Sequence, residues 1–293
     1  MPLIWLAKSV LWLLSRLSGT TPYRWSRRLS GLWMRLSPGK TRVARANLTA
    51  CYPTLSPVQI DRLVRASFVH YVCAILESGR NWYWPLQRLQ ELCDGDEGVE
   101  LLQQALARGR GVVVLAPHFG AWEYLGMYLQ KFEDIAILYK PPGRPALEKA
   151  LLSLRSRGGA NMLPATASGL RKLYAHVLAG KGAGVLPDQQ PSAGQGRFAP
   201  FFGIPALTAV LAPRLIQKTN CVVCFAVCQR LASGRYRMHV LPADERIYSP
   251  DVDEALAAVN WGVEQCIDIE PAQYLWSYKR FRARPPGVAP LYH

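Results

Sequence analysis

A buried strand that breaks directly into a helix constrains this chain more than any other feature. Gly111-Val112-Val113-Val114-Leu115 is an unbroken apolar run, as in a strand covered on both faces. Tyr124-Leu125-Gly126-Met127-Tyr128-Leu129 reads as the helix that follows, and Pro117 and Gly120 punctuate the turn between them. The alternation then repeats. Residues 98–108, 122–130, 145–157, 168–178, 207–218 and 251–268 have helical patterns. Residues 112–116, 135–139, 161–163, 183–186, 221–229 and 235–241 read as strands, the last two as a hairpin through Ser233-Gly234. This order predicts an α/β fold with a mixed central sheet flanked by helices. The N-terminal third is helical instead, with a basic helix near 22–36 and a longer one over 57–83 that starts at Ser56-Pro57. The expected organisation is an N-terminal membrane-associating helical segment, 1–40, and a single α/β domain, 41–293.

The turn itself carries the chemistry. His118 and Glu123, with four residues between them, sit where a strand's C-terminal end becomes a helix, the usual ligand crevice of open α/β sheets. A histidine base oriented by a carboxylate can activate a hydroxyl for acyl transfer. By spacing alone the pair is unspecific, and a lone histidine is more often structural than catalytic. Other polar groups follow neighbouring elements: Lys140 after 135–139, Arg155 and Arg157 at the end of 145–157, Asp188 and Gln189 after 183–186, and Arg197 leaving a polar loop. Lys140, Arg157, Asp188 and Arg197 are candidate substrate-binding groups, since cations at such a site can hold a phosphate or an oxyanion. Arg155 reads as an ordinary surface charge, and Lys140 also bears that reading. Phe198, Phe201, Phe202 and Ile204 can line an acyl channel or cap the core. Glu77 falls near the apolar stripe of its helix and reads as a structural carboxylate.

Charge narrows the partners. The 293 residues carry 35 Lys and Arg against 20 Asp and Glu, a formal +15, which implies an anionic partner. Basic residues interleave with tryptophan and tyrosine at the N-terminus (Trp5, Trp12, Arg16, Tyr23, Arg24, Trp25, Arg27, Arg28, Trp33, Arg35), which suits a bilayer headgroup layer. Single-stranded nucleic acid can accept the same pattern, but neither a zinc-finger spacing nor an aromatic RNA-binding signature accompanies it, so no nucleic-acid partner is expected. Residues 3–14 are too short and interrupted for a spanning helix and lack a signal-peptide cleavage site, leaving an interfacial anchor or a core helix. The C-terminal run from Tyr274 to Pro285 is again basic and aromatic and is expected to return to the bilayer surface. Cys221, Cys224 and Cys228 lie in a strand-like run; 221 and 224 point to opposite faces there and cannot share a zinc ion, which leaves apolar core residues of a reducing compartment.

Taken together, several blocks resemble the lipid A biosynthesis late acyltransferases, the lauroyl/myristoyl family of Gram-negative bacteria. They are Arg45-Ala46-Asn47-Leu48 with Cys51-Tyr52-Pro53; Ala116 to Glu123; Tyr139-Lys140-Pro141; Arg155 to Arg157; Pro187-Asp188-Gln189; Pro200-Phe201-Phe202-Gly203; and Gln273 to Trp276 through Arg284-Pro285. His118 to Glu123 is similar to the histidine-x4-acid motif of glycerolipid-type acyltransferases. The resemblance implies an enzyme of the bacterial inner membrane with its site on the cytoplasmic face. It would move an acyl chain from acyl carrier protein to a hydroxyl of a lipid A precursor, without cofactor or metal. It further implies His118 as base, Glu123 as its orienting acid and Arg157 as a site arginine. Asp188-Gln189-Gln190 departs from the acidic, histidine-rich loop of some members, and the N-terminal anchor is shorter than usual. A glycerophospholipid or other glycolipid acceptor is the alternative within this chemistry; a non-catalytic basic membrane-surface protein is the alternative outside it. The lack of a Gly-x-Ser-x-Gly elbow fits direct transfer, because a thioester already carries a good leaving group.

Overall fold

Four helices lead the chain: α1 (Pro2–Leu14), α2 (Thr21–Leu36), α3 (Pro38–Cys51) and α4 (Pro57–Tyr83). The structure is a computed structural model that describes residues 2–132, 134–142, 145–156, 159 and 161–292. The spine of the helical region is α4, 27 residues long, started by a capping box in which the Ser56 hydroxyl accepts from Gln59 N–H and the Gln59 side chain accepts from Ser56 N–H. Pro57 fills its first turn, where a missing N–H costs nothing. The first three helices all lie against it. The approach of α1 is close enough to require a glycine: a Cβ on Gly79 would stand 2.4 Å from Ser15 N and 2.5 Å from Leu11 O. Trp84 Nε1 donates to Ser15 O at 2.7 Å and Tyr83 Oη to Lys8 O at 3.2 Å. Among the described residues no helix is long and apolar enough to cross a membrane.

The α/β part runs α5 (Leu86–Gln90), β1 (Cys93–Glu97), α6 (Val99–Ala107), β2 (Val112–Leu115), α7 (Trp122–Tyr128), β3 (Ile135–Tyr139), α8 (Pro145–Arg155), β4 (Asn161–Pro164), α9 (Ala167–Leu178) and β5 (Gly182–Val185). It continues through β6 (Gly196–Phe201), β7 (Ile204–Ala209), α10 (Leu211–Thr219), β8 (Val222–Arg230), β9 (Tyr236–Pro242) and α11 (Val252–Asp268). Seven strands form one sheet in the order β1-β9-β8-β2-β5-β3-β4. Pairing is parallel from β8 to β4 and between β1 and β9, and antiparallel between β8 and β9, so the sheet is mixed as expected. The apolar run at 112–115 is its central strand and is buried on both faces. Helices cover both faces and form two cores. Val113, Leu115, Val223 and Phe225 pack into one, Val112, Val114, Cys224 and Ala226 into the other. Cys221 belongs to the first core and Cys224 and Cys228 to the second, the opposite-face arrangement that period-2 alternation requires.

Several elements escaped the sequence patterns, α5 among them. The short helix α3 was not separated from its neighbours. The edge strand β1, Cys93-Asp94-Gly95-Asp96-Glu97, has no apolar alternation. Its charges face Arg235, Arg237 and His239 of β9 and the preceding turn, with Glu97 Oε2 3.1 Å from His239 Nδ1. The hairpin β6–β7 lies where a polar loop and the start of a helix at 207 were expected; it turns through Phe202 and Gly203, both at positive φ, and delays α10 to Leu211. The C-terminal run is also not a surface strap. Trp276, Arg280 and Phe281 are buried, Asn47 on α3 donates to Trp276 O and Tyr278 O, and Arg280 donates to Leu207 O, Thr208 Oγ1 and Asn260 Oδ1. Tyr274, Trp276, Arg280 and Phe281 close the core around β6–β7, while Lys279 and Arg282 stay exposed.

Substituting Gly79→Ala tests the α1–α4 contact. Because the clash is with backbone, overpacking costs about 1–3 kcal/mol, and α1 is the element free to move away. Limited proteolysis between residues 8 and 20 should accelerate several-fold relative to the unsubstituted chain; an unchanged cleavage rate would show that α1 is not seated on Gly79.

Candidate active site

The register of the central strands builds the site. In the parallel pair β2–β5, Leu115 lies opposite Val185, and Ala116 N–H continues the ladder to Val185 O at 2.9 Å. Each chain then runs three residues past its strand, to His118 and to Asp188. The two side chains meet there, with His118 Nδ1 2.8 Å from Asp188 Oδ1 and His118 backbone N–H donating to Asp188 Oδ2 at 2.9 Å. Asp188 is buried and the His118 side chain is 14% exposed, so the pair is shielded while one edge of the ring stays open. With its proton on Nδ1 and donated to Asp188, the ring carries a lone pair on Nε2. That nitrogen lies 3.1 Å from the side-chain nitrogen of Gln189.

Electrostatics raise the basicity of the imidazole. Burial pulls the His118 pKa down, but the charge of Asp188, the hydrogen bond to it and the charge of Glu123 together outweigh burial and the opposing Arg155. The pKa ends above the ordinary histidine value. Burial likewise acts to raise Asp188, yet the His118 charge, its two hydrogen bonds and the field of Arg280 hold the carboxyl below the usual range. The Tyr274 hydroxyl, buried and hydrogen-bonded to Asp188, is pushed well up and stays a neutral donor.

The carboxylate in contact with the His118 ring is Asp188; Glu123, the partner expected from the sequence, is engaged elsewhere. Glu123, on the first turn of α7, makes a two-point ion pair with Arg155 at the end of α8; the Nε–Oε2 arm is 3.3 Å. Gln130 Nε2 donates to Arg155 O at 3.2 Å and ties the two helix ends together. Side-chain direction explains the switch: on the helix that follows the turn, Glu123 projects along α7 toward α8, whereas Asp188 approaches His118 across the strand ends. Arg155, read as a surface charge, thus belongs to the site, and Asp188 holds the base in addition to any contact with substrate. Trp122 lines the ring, with centroids 5.8 Å apart.

The remaining candidates separate. Lys140 is exposed one residue beyond β3. Arg197, on β6, pairs with Asp253 at 3.2 Å, at the start of α11. Arg157 lies outside the described residues. Phe201 is buried against Phe202, Tyr274 and Phe281, so it caps the core; Phe198 is partly exposed. Among the described residues no cluster of His, Cys, Asp and Glu is arranged to hold a metal.

The backbone of the turn is held as firmly as the ring. Gly120 adopts φ +54°, where a Cβ would stand 2.0 Å from Cys228 O, so only glycine fits between the turn and β8. Gly120 N–H donates to Gln273 O, Ala121 N–H to Cys228 O and Leu275 N–H to His118 O, at 2.9, 2.9 and 3.1 Å. His118 is thus fixed from β5, from β8 and from the C-terminal segment at once. The arrangement supplies a desolvated, pre-oriented base with an amide donor beside it, which suits proton abstraction from a hydroxyl.

Compared with known proteins, residues 1–283 match the family described as bacterial lipid A biosynthesis acyltransferase. The chain is 26% identical over 292 residues to the lipid A biosynthesis palmitoleoyltransferase of Escherichia coli (strain K12), covering 99% of this chain and 94% of that protein. It is 25% identical over 295 residues to the lauroyltransferase of the same organism, at the same coverage. To the myristoyltransferase it is 24% identical over 256 residues, or 86% of this chain and 78% of that one.

Removing the carboxylate reports on the pair. Activity that needs neutral His118 rises with pH through its raised pKa. In Asp188→Asn the ring keeps its burial but loses the anion, so this acidic limb of kcat/KM should move to lower pH. The plateau should fall by roughly 10²–10⁴-fold. Glu123→Gln, acting only through space, should move the limb less. A limb unmoved in Asp188→Asn would remove Asp188 from this role.

Proposed function

The chain belongs to the bacterial lipid A biosynthesis acyltransferase family, and we propose that it transfers a fatty acyl group from acyl carrier protein to a hydroxyl of a lipid A precursor with His118 as general base. Membership makes it an acyltransferase of lipid A biosynthesis. The observation that carries the mechanism is the His118–Asp188 pair at the adjoining ends of β2 and β5, with Nε2 presented at the open edge.

In this reading the acceptor hydroxyl binds at His118 Nε2, where the Gln189 amide now lies, and gives up its proton as its oxygen attacks the thioester carbonyl. The tetrahedral oxyanion collapses by breaking the carbon–sulfur bond, and His118 returns the proton to the departing thiolate. Asp188 stabilises the imidazolium between these steps without taking its proton. Gln189 is placed to donate to the acceptor oxygen or the oxyanion. Arg155, kept in place by Glu123, supplies a fixed positive field at the same rim, where the phosphate of a lipid or of a carrier arm can lie.

We further propose that the enzyme works at the cytoplasmic face of the inner membrane, docked through α2. This helix packs inside out: Pro22, Ser26 and Ser30 are buried against the protein, while Trp25, Leu29, Leu32 and Leu36 form an outward stripe 50%, 37%, 54% and 72% exposed. Arg24, Arg27, Arg28 and Arg35 flank the stripe and are exposed. No Asp or Glu occurs before Asp61, although nine Lys and Arg do. An apolar stripe with a cationic border, on a helix without acidic residues, matches an anionic headgroup layer.

Two measurements bear on this. Purified protein given acyl carrier protein thioester should acylate a lipid A precursor, and His118→Ala should lower the rate at least ~100-fold; acylation confined to lysophospholipid would overturn the acceptor, and unchanged turnover in His118→Ala would overturn the base. Trp25→Asp with Leu29→Asp should reduce flotation with vesicles containing anionic phospholipid about tenfold or more, since both apolar insertion and local charge are lost; undiminished flotation would locate the membrane contact elsewhere.

A further inference from the structure

The largest buried charge cluster lies behind the catalytic turn, outside the chemistry described above. Glu77 on α4, 1% exposed, sits between two guanidinium groups. Arg230, the last residue of β8, donates from Nε to both Glu77 oxygens at 3.0 Å and from Nη2 to Oε2 at 2.8 Å. Arg80, one turn along α4, donates from Nη2 to Glu77 Oε1 at 2.8 Å and to the Tyr236 hydroxyl. All three side chains are nearly or fully inaccessible.

The two arginines differ in one respect. Arg230 Nη2 also donates to Gly120 O at 3.1 Å, inside the turn that carries His118, and Arg230 Nη1 reaches His70 Nδ1 at 3.3 Å. Burial and then the nearby Arg230 charge push His70 down to about 3, so it is a neutral acceptor there. The backbone of Arg230 is clamped as well: its N–H donates to Gln273 Oε1, its carbonyl accepts from Gln273 Nε2, both at 2.8 Å, and Gln273 O accepts from Gly120 N–H. Both polar groups of the Gly120 peptide region are thereby referred to Arg230, one through its side chain and one through Gln273. Arg80 has no such link.

We infer that Arg230 is a positioning residue for the general base, with Glu77 as the anchor that fixes its guanidinium so that one Nη2 hydrogen serves the carboxylate and the other serves Gly120. A lysine ammonium, a point charge on a flexible stem, lacks this planar fork. The inference rests on the proposed acyl transfer only for its rate measurement. His118 faces Asp188, Glu123 and Arg155, and its titration reads out the turn directly, because small displacement from Asp188 weakens what raises its pKa.

The cluster provides its own control. Removing either arginine charge leaves Glu77 with one guanidinium, so Arg230→Gln and Arg80→Gln each take one cation from the buried cluster, Arg230 the one with more contacts to Glu77, but only the first releases the turn. In Arg230→Gln, kcat should fall roughly 10- to 100-fold, as expected for a misplaced reacting group, with KM for the acceptor little changed. The His118 ring resonances, identified by their loss in His118→Gln, should titrate at lower pH. Arg80→Gln should leave both readouts near those of the unsubstituted protein. If Arg230→Gln does not fold, Arg230→Lys, which keeps the charge beside Glu77, carries the same expectation. An unmoved His118 titration in the Arg230 variant, or equal losses in both arginine variants, would overturn the inference. Absence of transfer by the unsubstituted protein would instead count against the proposed function, and the titration would still decide the positioning role.

Discussion

The parallel pairing of β2 with β5 is the constraint on which the site depends. A parallel ladder fixes two strands at one level, and here both strands end together, Leu115 against Val185. Equal excursions of three residues then bring His118 and Asp188 into contact. On the other side β8 runs nine residues against the four of β2. The extra length passes behind the turn and offers Cys228 O to Ala121 N–H. The His118–Asp188 pair is therefore a product of strand lengths and register as much as of residue type. Moving either strand by one residue would reverse which face its side chains occupy.

Charges in this chain act in two regimes. The pairs between β1 and β9 are exposed, and each contributes ~0–1 kcal/mol at most, so that edge owes its place to backbone pairing more than to ions. Glu77 and Asp188 are different because burial makes an unpaired carboxylate costly. Asp188 has no formal cation in direct contact when His118 is neutral. Hydrogen bonds from the His118 backbone and ring, with the field of Arg280, hold its carboxyl below the usual range. In the proposed mechanism that environment would be in place for the imidazolium before the proton arrives.

Much of this was legible in the sequence, and what was not has identifiable physical causes. Elements whose stability comes from apolar patterning, such as 57–83, 112–115 and 135–139, were found at or within a residue of their observed bounds. β1 was not, because its side chains are selected for cross-strand charge; neither was β6–β7, because its turn through Phe202 at positive φ has no glycine signal at that position. His118 was identified from its place at a strand end. Its ring contact with Asp188 was not anticipated, because spacing along the chain favours Glu123, whereas that contact depends on which strands are neighbours. The equal offset of His118 and Asp188 from two apolar strand ends was the available signal, usable once β2 and β5 were known to be adjacent. Arg230 gave no local signal and Gln273 entered only as the start of a resembling block, since what both contact is a peptide more than a hundred residues away in the chain.

The inside-out packing of α2 connects these observations. A helix that meets its neighbour through Ser26 and Ser30 can approach closely, and it leaves no room for Trp25 or Leu29 on that side. In water the exposed stripe is a standing cost, and exchanging the two faces would remove it. The arrangement becomes favourable only if the outward face is itself covered, which is the condition a bilayer meets. The inner face of α2 rests on α4, and α4 carries Glu77, which holds Arg230, which holds Gly120. One uninterrupted set of contacts thus runs from the proposed membrane face to the peptide beside the base. Docking through α2 would therefore fix the orientation of the reaction site relative to the lipid surface through this set of contacts.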